Sequence, residues 1–332
     1  MFNTIYIERQ VAEHARVAEI CARFPRATRV ECDRYGEVFN PNAQDFRLQK
    51  NNPALILAHK HSGHVLTAPQ GYGIGGERNH YFSHMLNCLY DCRYCFLQGM
   101  YRSAHHILYV NYEDFAGEID RTLAAAGNQT SWFFSGYDCD SLAMEPVSGF
   151  VEHFLPFFAA RPQARLELRT KSTQIRSLLK VEALPNVVVA FSFTPDEVYR
   201  ALEHKVPGIE RRLEAMLQLQ QAGWPLGLRF DPLIYQDDYQ AHYRALFEQL
   251  FSRLDTDTLH SVSLGTFRLP RGYFKKMVQL YPDERLFAGS FETSNDMVSY
   301  PRAREQEMTA FCTREQLRHI PESLLFPCSL AA

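Results

Sequence analysis

No stretch of this sequence approaches the ~18 consecutive apolar residues that span a bilayer, so no membrane-crossing helix is expected. The N-terminus, MFNTIYIERQ onward, carries charge throughout and lacks a basic head followed by an apolar run. A secretory signal is therefore not expected, and a cytoplasmic chain with reduced thiols is. There is no basic surplus either: 35 Lys and Arg face 38 Asp and Glu, a formal charge of −3. A protein living on phosphate contacts usually carries excess positive charge, so any nucleic-acid surface must be a local patch. Repeats, low-complexity tracts and Gly/Ser linkers are absent, which excludes solenoids and flexible arrays. What remains is 332 residues, 46% hydrophobic and 22% charged. That is enough for one barrel-sized domain with an appendage, or for two domains.

Apolar runs at 81–87, 131–135, 165–170, 187–193, 226–230 and 261–267 read as strands. Between them, 113–126, 209–222 and 239–252 read as helices. The first is opened by acidic Glu113 and Asp114, which suit the positive end of a helix. In the second, Ile209, Leu213, Met216, Leu217 and Gln220 mark a helical period that ends at Gly223. Such alternation implies parallel β/α units, here an α/β fold with a partial (β/α)6 TIM-like barrel over 76–284. Residues 1–75, with a helix at 10–24 and short strands at 53–58 and 64–68, read as a small N-terminal α/β extension. Residues 285–332 read as a separate C-terminal cap. In a barrel of this kind chemistry collects at the C-terminal ends of the strands. The stretch after the first strand, 135–140, Lys171, 192–194 and Asp231 all fall there.

Eight cysteines are present, and Cys88, Cys92 and Cys95 crowd into eight residues. The spacing is C-x3-C-x2-C, on a loop directly after the first strand. Thiolates bind soft metals, and closely spaced ones can grip one polynuclear centre. A four-iron cubane held by three cysteines leaves one iron open, which the amino and carboxylate groups of S-adenosylmethionine (SAM) can chelate. A zinc site completed by His84 or His80 is the alternative, and would make the chain a zinc-held nucleic-acid binding protein without catalysis. No second C-x2-C knuckle supports that alternative.

Cys88-x3-Cys92-x2-Cys95, with Tyr94 before the last cysteine, is the signature of the radical SAM superfamily, and CRYCFLQ resembles the spore photoproduct lyase family within it. The likeness continues through Ile5-Tyr6-Ile7-Glu8, Tyr109-Val110-Asn111, Thr170-Lys171, Phe191-Ser192-Phe193, 210–216 and 222–227. The resemblance implies a 4Fe–4S cluster on Cys88, Cys92 and Cys95, SAM as cosubstrate, and a low-potential electron donor of flavodoxin or ferredoxin type. It also implies reductive formation of an adenosyl radical that takes hydrogen from a thymine photoproduct, with DNA as partner. Carried over by position, Tyr94 packs near the adenine, Ser135 and Asp138 lie at the SAM amino end, Lys171 meets its carboxylate, and Ser192 and Thr194 meet the ribose.

Three positions depart from the family. The lyase's hydrogen-donating cysteine follows a serine at the end of the second strand; here Gly136 follows Ser135, and the nearest thiol is Cys139, a candidate donor. Phe96 stands where the lyase has a relay tyrosine. The stretch 288–297 is acidic where a phosphate-gripping hairpin would be basic. These differences keep open the same radical chemistry on a substrate other than DNA.

Four further features have functional readings. Gly71–Gly76 fits G-x-G-x-x-G but is followed by a strand and the cysteine loop, so a flexible loop near the cluster is expected rather than a dinucleotide site. His59, His61 and His64 read as a polar turn between strands, with a metal site as the alternative that no nearby carboxylate or thiol in the sequence supports. Arg268, Arg271, Lys275 and Lys276, interleaved with Tyr273 and Phe274, read as a solvated helix start or a local nucleic-acid contact. Arg229 and Asp231 read either as site contacts or as an internal ion pair.

Overall fold

A computed structural model describes residues 2–39, 42, 44–69 and 71–328. Six parallel strands form the barrel: β1 (Arg78–Phe82), β2 (Ser131–Ser135), β3 (Ala164–Thr170), β4 (Val187–Ser192), β5 (Leu226–Leu233) and β6 (Leu259–Thr266). They hydrogen-bond in sequence order, with Arg78 level with Ser131, Leu166 with Val187 and Val189 with Leu226. β2 and β4 are buried at every position because helices cover one face while the barrel lumen takes the other. The sheet curls without closing. One edge is Leu66–Thr67, antiparallel to β1, and the other is β7 (Leu325–Pro327), parallel to β6.

β7 alters the expected organisation. The C-terminal stretch is not a separate cap, since the chain returns after helix Arg302–Gln316 to extend the barrel sheet. At the other end, the five-stranded N-terminal sheet runs in the order Thr28–Cys32, Thr4–Glu8, Leu55–Ala58, His106–Tyr109, Met85–Leu86. Its last two strands lie beyond residue 75. The apolar run 81–87 is thus shared: β1 ends at Phe82, and Met85–Leu86 pairs with the other sheet. A hydrophobic run reports burial but not which sheet buries it. One continuous apolar core joins the two sheets.

The expected helices fall at Tyr112–Ala126, Ile209–Gln221 and Tyr239–Phe251. The second buries Ile209, Leu213 and Met216 as its spacing implies, but also the cation Arg212, which has no exposed surface. Charge predicts solvent; the buried partner described below overrides it.

Candidate active site

The C-terminal ends of the strands open into a cavity of about 560 Å³ lined by Cys88, Cys92, Cys95, Tyr94, Lys171 and Ser192, among others. Asn87 turns the chain into the cysteine loop with φ of 66°, and its amide donates to the carbonyls of Ser103 and His105 at 2.8 and 2.7 Å. Asp91–Cys92 then pairs antiparallel with Glu203–His204, so that Cys92 lies level with Glu203. The Cys95 N–H closes a turn on the Cys92 carbonyl at 3.1 Å. Outside the loop, Lys50 binds Asp91 and Gln98 and donates to the Tyr281 hydroxyl at 2.7 Å, while Arg93 lies 4.0 Å over the Tyr281 ring. These contacts pin both flanks of the three thiols.

Cys92 is buried, Cys88 and Cys95 are half-buried, and all three are free. The Tyr90 N–H donates to Cys88 Sγ at 3.4 Å, a backbone contact that suits a thiolate ligand. Burial pushes the three thiols above their ordinary range, so a metal has to displace their protons. Among the described residues, no three His, Cys, Asp or Glu side chains converge where one metal ion could sit. His84, the proposed fourth zinc ligand, is stacked flat on Phe150 at 3.9 Å with both ring nitrogens buried and unpartnered. His80 is stacked on Phe133. Three free thiols on one loop, with both histidines engaged on phenyl rings, fit a cluster.

Glu203 organises the wall behind the thiols. Its side chain is fully buried and accepts from Tyr94 Oη, from Thr194 Oγ1 at 3.0 Å, from Lys171 Nζ at 3.1 Å and from Arg212 at 3.1 Å. Arg212 also donates to the Ser192 carbonyl at 2.6 Å. Tyr94, Lys171 and Ser192 therefore reach the cavity as a braced unit. Thr194, expected at the ribose, does not line the cavity: its hydroxyl is turned onto Glu203.

Ser135 and Asp138 are likewise placed outside the lining. The Ser135 hydroxyl meets Ser141 Oγ at 2.8 Å and donates to the Glu167 carbonyl at 2.9 Å; Asp138 faces Ser83 and Lys60. Gly136, with φ of 80°, swings the chain so that Asp140 enters the wall instead. Asp140 accepts from the Leu142 and Ala143 N–H groups at 2.9 Å, from Thr170 Oγ1 at 2.7 Å and from the Lys171 N–H at 2.7 Å. Burial pushes its carboxyl up against the pull of these donors. A Cβ on Gly136 would lie 2.6 Å from Ser141 Oγ and 3.0 Å from the Ser141 N, in a backbone conformation that L residues avoid. A cysteine cannot stand there without rebuilding the turn. Cys139 lines the cavity instead, 9% exposed.

Arg169 and Tyr72 were not foreseen. Arg169 donates to Tyr72 Oη at 3.1 Å and lies 3.7 Å from Asp231, and all three line the cavity. Arg229 resolves as an internal ion pair with Glu167 at 2.8 Å. Phe96 packs 5.6 Å from Tyr137. Leu269, Tyr273 and Met297 overhang the mouth from the helix Arg271–Leu280 and a small sheet of Arg268–Pro270, Met297–Ser299 and Glu292–Ser294. In the histidine turn, His59 and His61 pair with Asp114 and Glu8 at 3.3 and 3.8 Å.

Sequence and structure comparisons point one way. The family model described as spore photoproduct lyase matches residues 82–302. The chain is 26% identical over 190 residues to a spore photoproduct lyase of Bacillus subtilis (strain 168), covering 57% of this chain and 55% of that protein. To that of Geobacillus sp. (strain Y412MC61) it is 26% identical over 208 residues, covering 60% and 59%. These alignments span less than two thirds of either relative. A solved spore photoproduct lyase variant with bound AdoMet and dinucleoside spore photoproduct superimposes with a TM-score of 0.86 at 17% identity, over 100% of this chain and 99% of that one. With the family model spanning the cysteine loop and the barrel strands β2 to β6, this chain belongs to the spore photoproduct lyase family.

Proposed function

We propose that this chain is a radical SAM enzyme in which Cys88, Cys92 and Cys95 hold a 4Fe–4S cluster, and that it acts reductively on a thymine photoproduct in DNA. The observation that carries the reading is one cavity shared by the three thiols, the braced Tyr94, Lys171 and Ser192, and a further thiol, Cys139. When bound and reduced by a flavodoxin- or ferredoxin-type donor, the cluster and SAM supply a 5′-deoxyadenosyl radical able to take hydrogen from the lesion. Lys171 presents an ammonium to the SAM carboxylate, and Glu203 fixes its position. The Tyr94 ring, with its hydroxyl tied to Glu203, offers an apolar face to a base. The overhang of Leu269, Tyr273 and Met297 keeps water from the reacting atoms.

Cys139 is the proposed hydrogen donor. Burial, with Asp138 and Asp140 beside it, pushes its thiol well above the ordinary range. It therefore stays protonated at neutral pH and has a hydrogen atom to give. The test is anaerobic turnover on ultraviolet-irradiated DNA with SAM and dithionite. Thymine should be restored, and Cys139→Ala should still cleave SAM while losing most of that yield. Thymine restored equally by Cys139→Ala would remove the donor role.

A second reading, the same chemistry on a substrate other than DNA, is favoured by Gly136, which cannot carry the lyase's cysteine, and by Phe96, which has no labile hydrogen. SAM cleavage with no thymine restored by the wild-type chain would select it.

A further inference from the structure

The other end of the barrel carries a separate cleft of about 570 Å³, at the N-terminal ends of the strands. Arg78 opens β1, Trp132 lies on β2, Arg165 on β3 and His260 on β6, with Phe326 of β7 beside them. The Gly71–Gly76 loop reaches this cleft. Gly76 lies against Trp132 so closely that a Cβ would come within 2.3 Å of the indole. The glycines therefore serve to lay backbone across the barrel floor, and no helix opens after them.

The charges are arranged unlike those elsewhere in the lumen. On β3, Arg165, Glu167 and Arg169 alternate down one face. Arg169 has Asp231 and Glu167 has Arg229. Among the described residues, Arg165 has no carboxylate or hydrogen-bond partner and only stands over Trp132, 5.6 Å from the ring centroid. Arg78 reaches no carboxylate either; it donates weakly to Gln129 at 3.5 Å, and its Nε is buried without a partner. The Nδ1 of His260 is also buried and unpartnered. Burial, with Arg229 and Arg165 nearby, pulls His260 down to about 4, so the ring is neutral and can present one N–H. Glu77 is the opposing charge, an exposed carboxylate on the rim. Buried donors left unpaired are costly and rare, and two guanidinium forks are suited to bidentate contact with an oxyanion.

We propose that this lower cleft is a phosphate-binding site, with Arg165 and Arg78 gripping the oxyanion and His260 donating to it. Free phosphate and a nucleic-acid backbone share that chemistry. Neither the cluster nor SAM takes part, so the inference stands apart from the proposed activity.

The test is equilibrium dialysis of the full reconstituted chain against radiolabelled inorganic phosphate at constant ionic strength. Saturable binding of about one phosphate per chain is expected. Arg165→Gln and Arg78→Gln should each weaken it about tenfold or more, and Glu77→Gln should tighten it several-fold. A short single-stranded oligonucleotide that displaces the label would assign the site to the backbone; failure to displace it would assign the site to free phosphate. Should Arg165→Gln fail to fold, the rim variants Arg78→Gln and Glu77→Gln decide by moving affinity in opposite directions. Binding that never saturates, or that both arginine variants leave unchanged, overturns the proposal.

Discussion

Replacing Glu203 with glutamine keeps its shape and removes its charge. One carboxylate oxygen accepts from Tyr94, Thr194 and Lys171, and the other from Arg212. A glutamine carbonyl can keep the first set, but its NH2 group then faces the Arg212 donor. Two cations lose the only ion-pair partner they have among the described residues, one cation fully buried and the other 14% exposed. Removing one member of a buried ion pair costs about 3–5 kcal/mol, because the remaining charge stays buried. At about 2 °C per kcal/mol for a chain this large, Tm should fall by about 6–10 °C. Thermal unfolding by circular dichroism reads the loss. Adding Lys171→Met should recover part of it, since the double variant leaves one unneutralised cation rather than two. A drop under about 1 kcal/mol, or strictly additive losses in the double variant, would show that Glu203 does not hold this wall by charge.

Glu145 supplies a pH signature away from the cysteine loop. Burial raises its carboxyl to about 7, although it accepts from the Val151 N–H at 2.9 Å. The folded protein thus holds a proton that the unfolded chain releases near 4.5, and stability contributed below that pH is lost as pH rises through about 7. Glu145→Gln should gain on wild type by about 3 kcal/mol between pH 4.5 and 8, seen as converging or crossing Tm curves; parallel curves would refute it. His84→Phe should raise Tm, because two buried ring nitrogens without partners are replaced by carbon on the same stacked ring; a lower Tm would mean the imidazole is used. Cys88→Ala should leave the folded chain but abolish the bound iron, measured per chain after anaerobic reconstitution.

The parts of this site that were readable in the sequence are those whose contacts are local. Three thiols on one loop announce a soft-metal centre by spacing alone, and the apolar run Val187–Phe191 of β4 announces a strand covered on both faces. Lys171 and Ser192 were found because they end strands. Glu203 and Arg212 left no such trace: their importance arises when one dipeptide pairs with another about a hundred residues away. Asp138 was carried over by position from the family resemblance, and a position in the sequence does not show that Gly136, with its positive φ, turns Asp140 rather than Asp138 into the cavity wall. Thr194 was misplaced for a related reason, its hydroxyl being drawn to a carboxylate that no pattern revealed.

The Arg229–Glu167 pair sits halfway down the strands, between the upper cavity and the lower cleft, and Ser261 adds two more bonds to the same guanidinium. It acts as a bolt across the lumen, standing between the chamber lined by the three thiols and the cleft lined by Arg165 and Arg78. A molecule held in one recess is therefore kept from direct contact with a molecule held in the other, so the two can be filled independently.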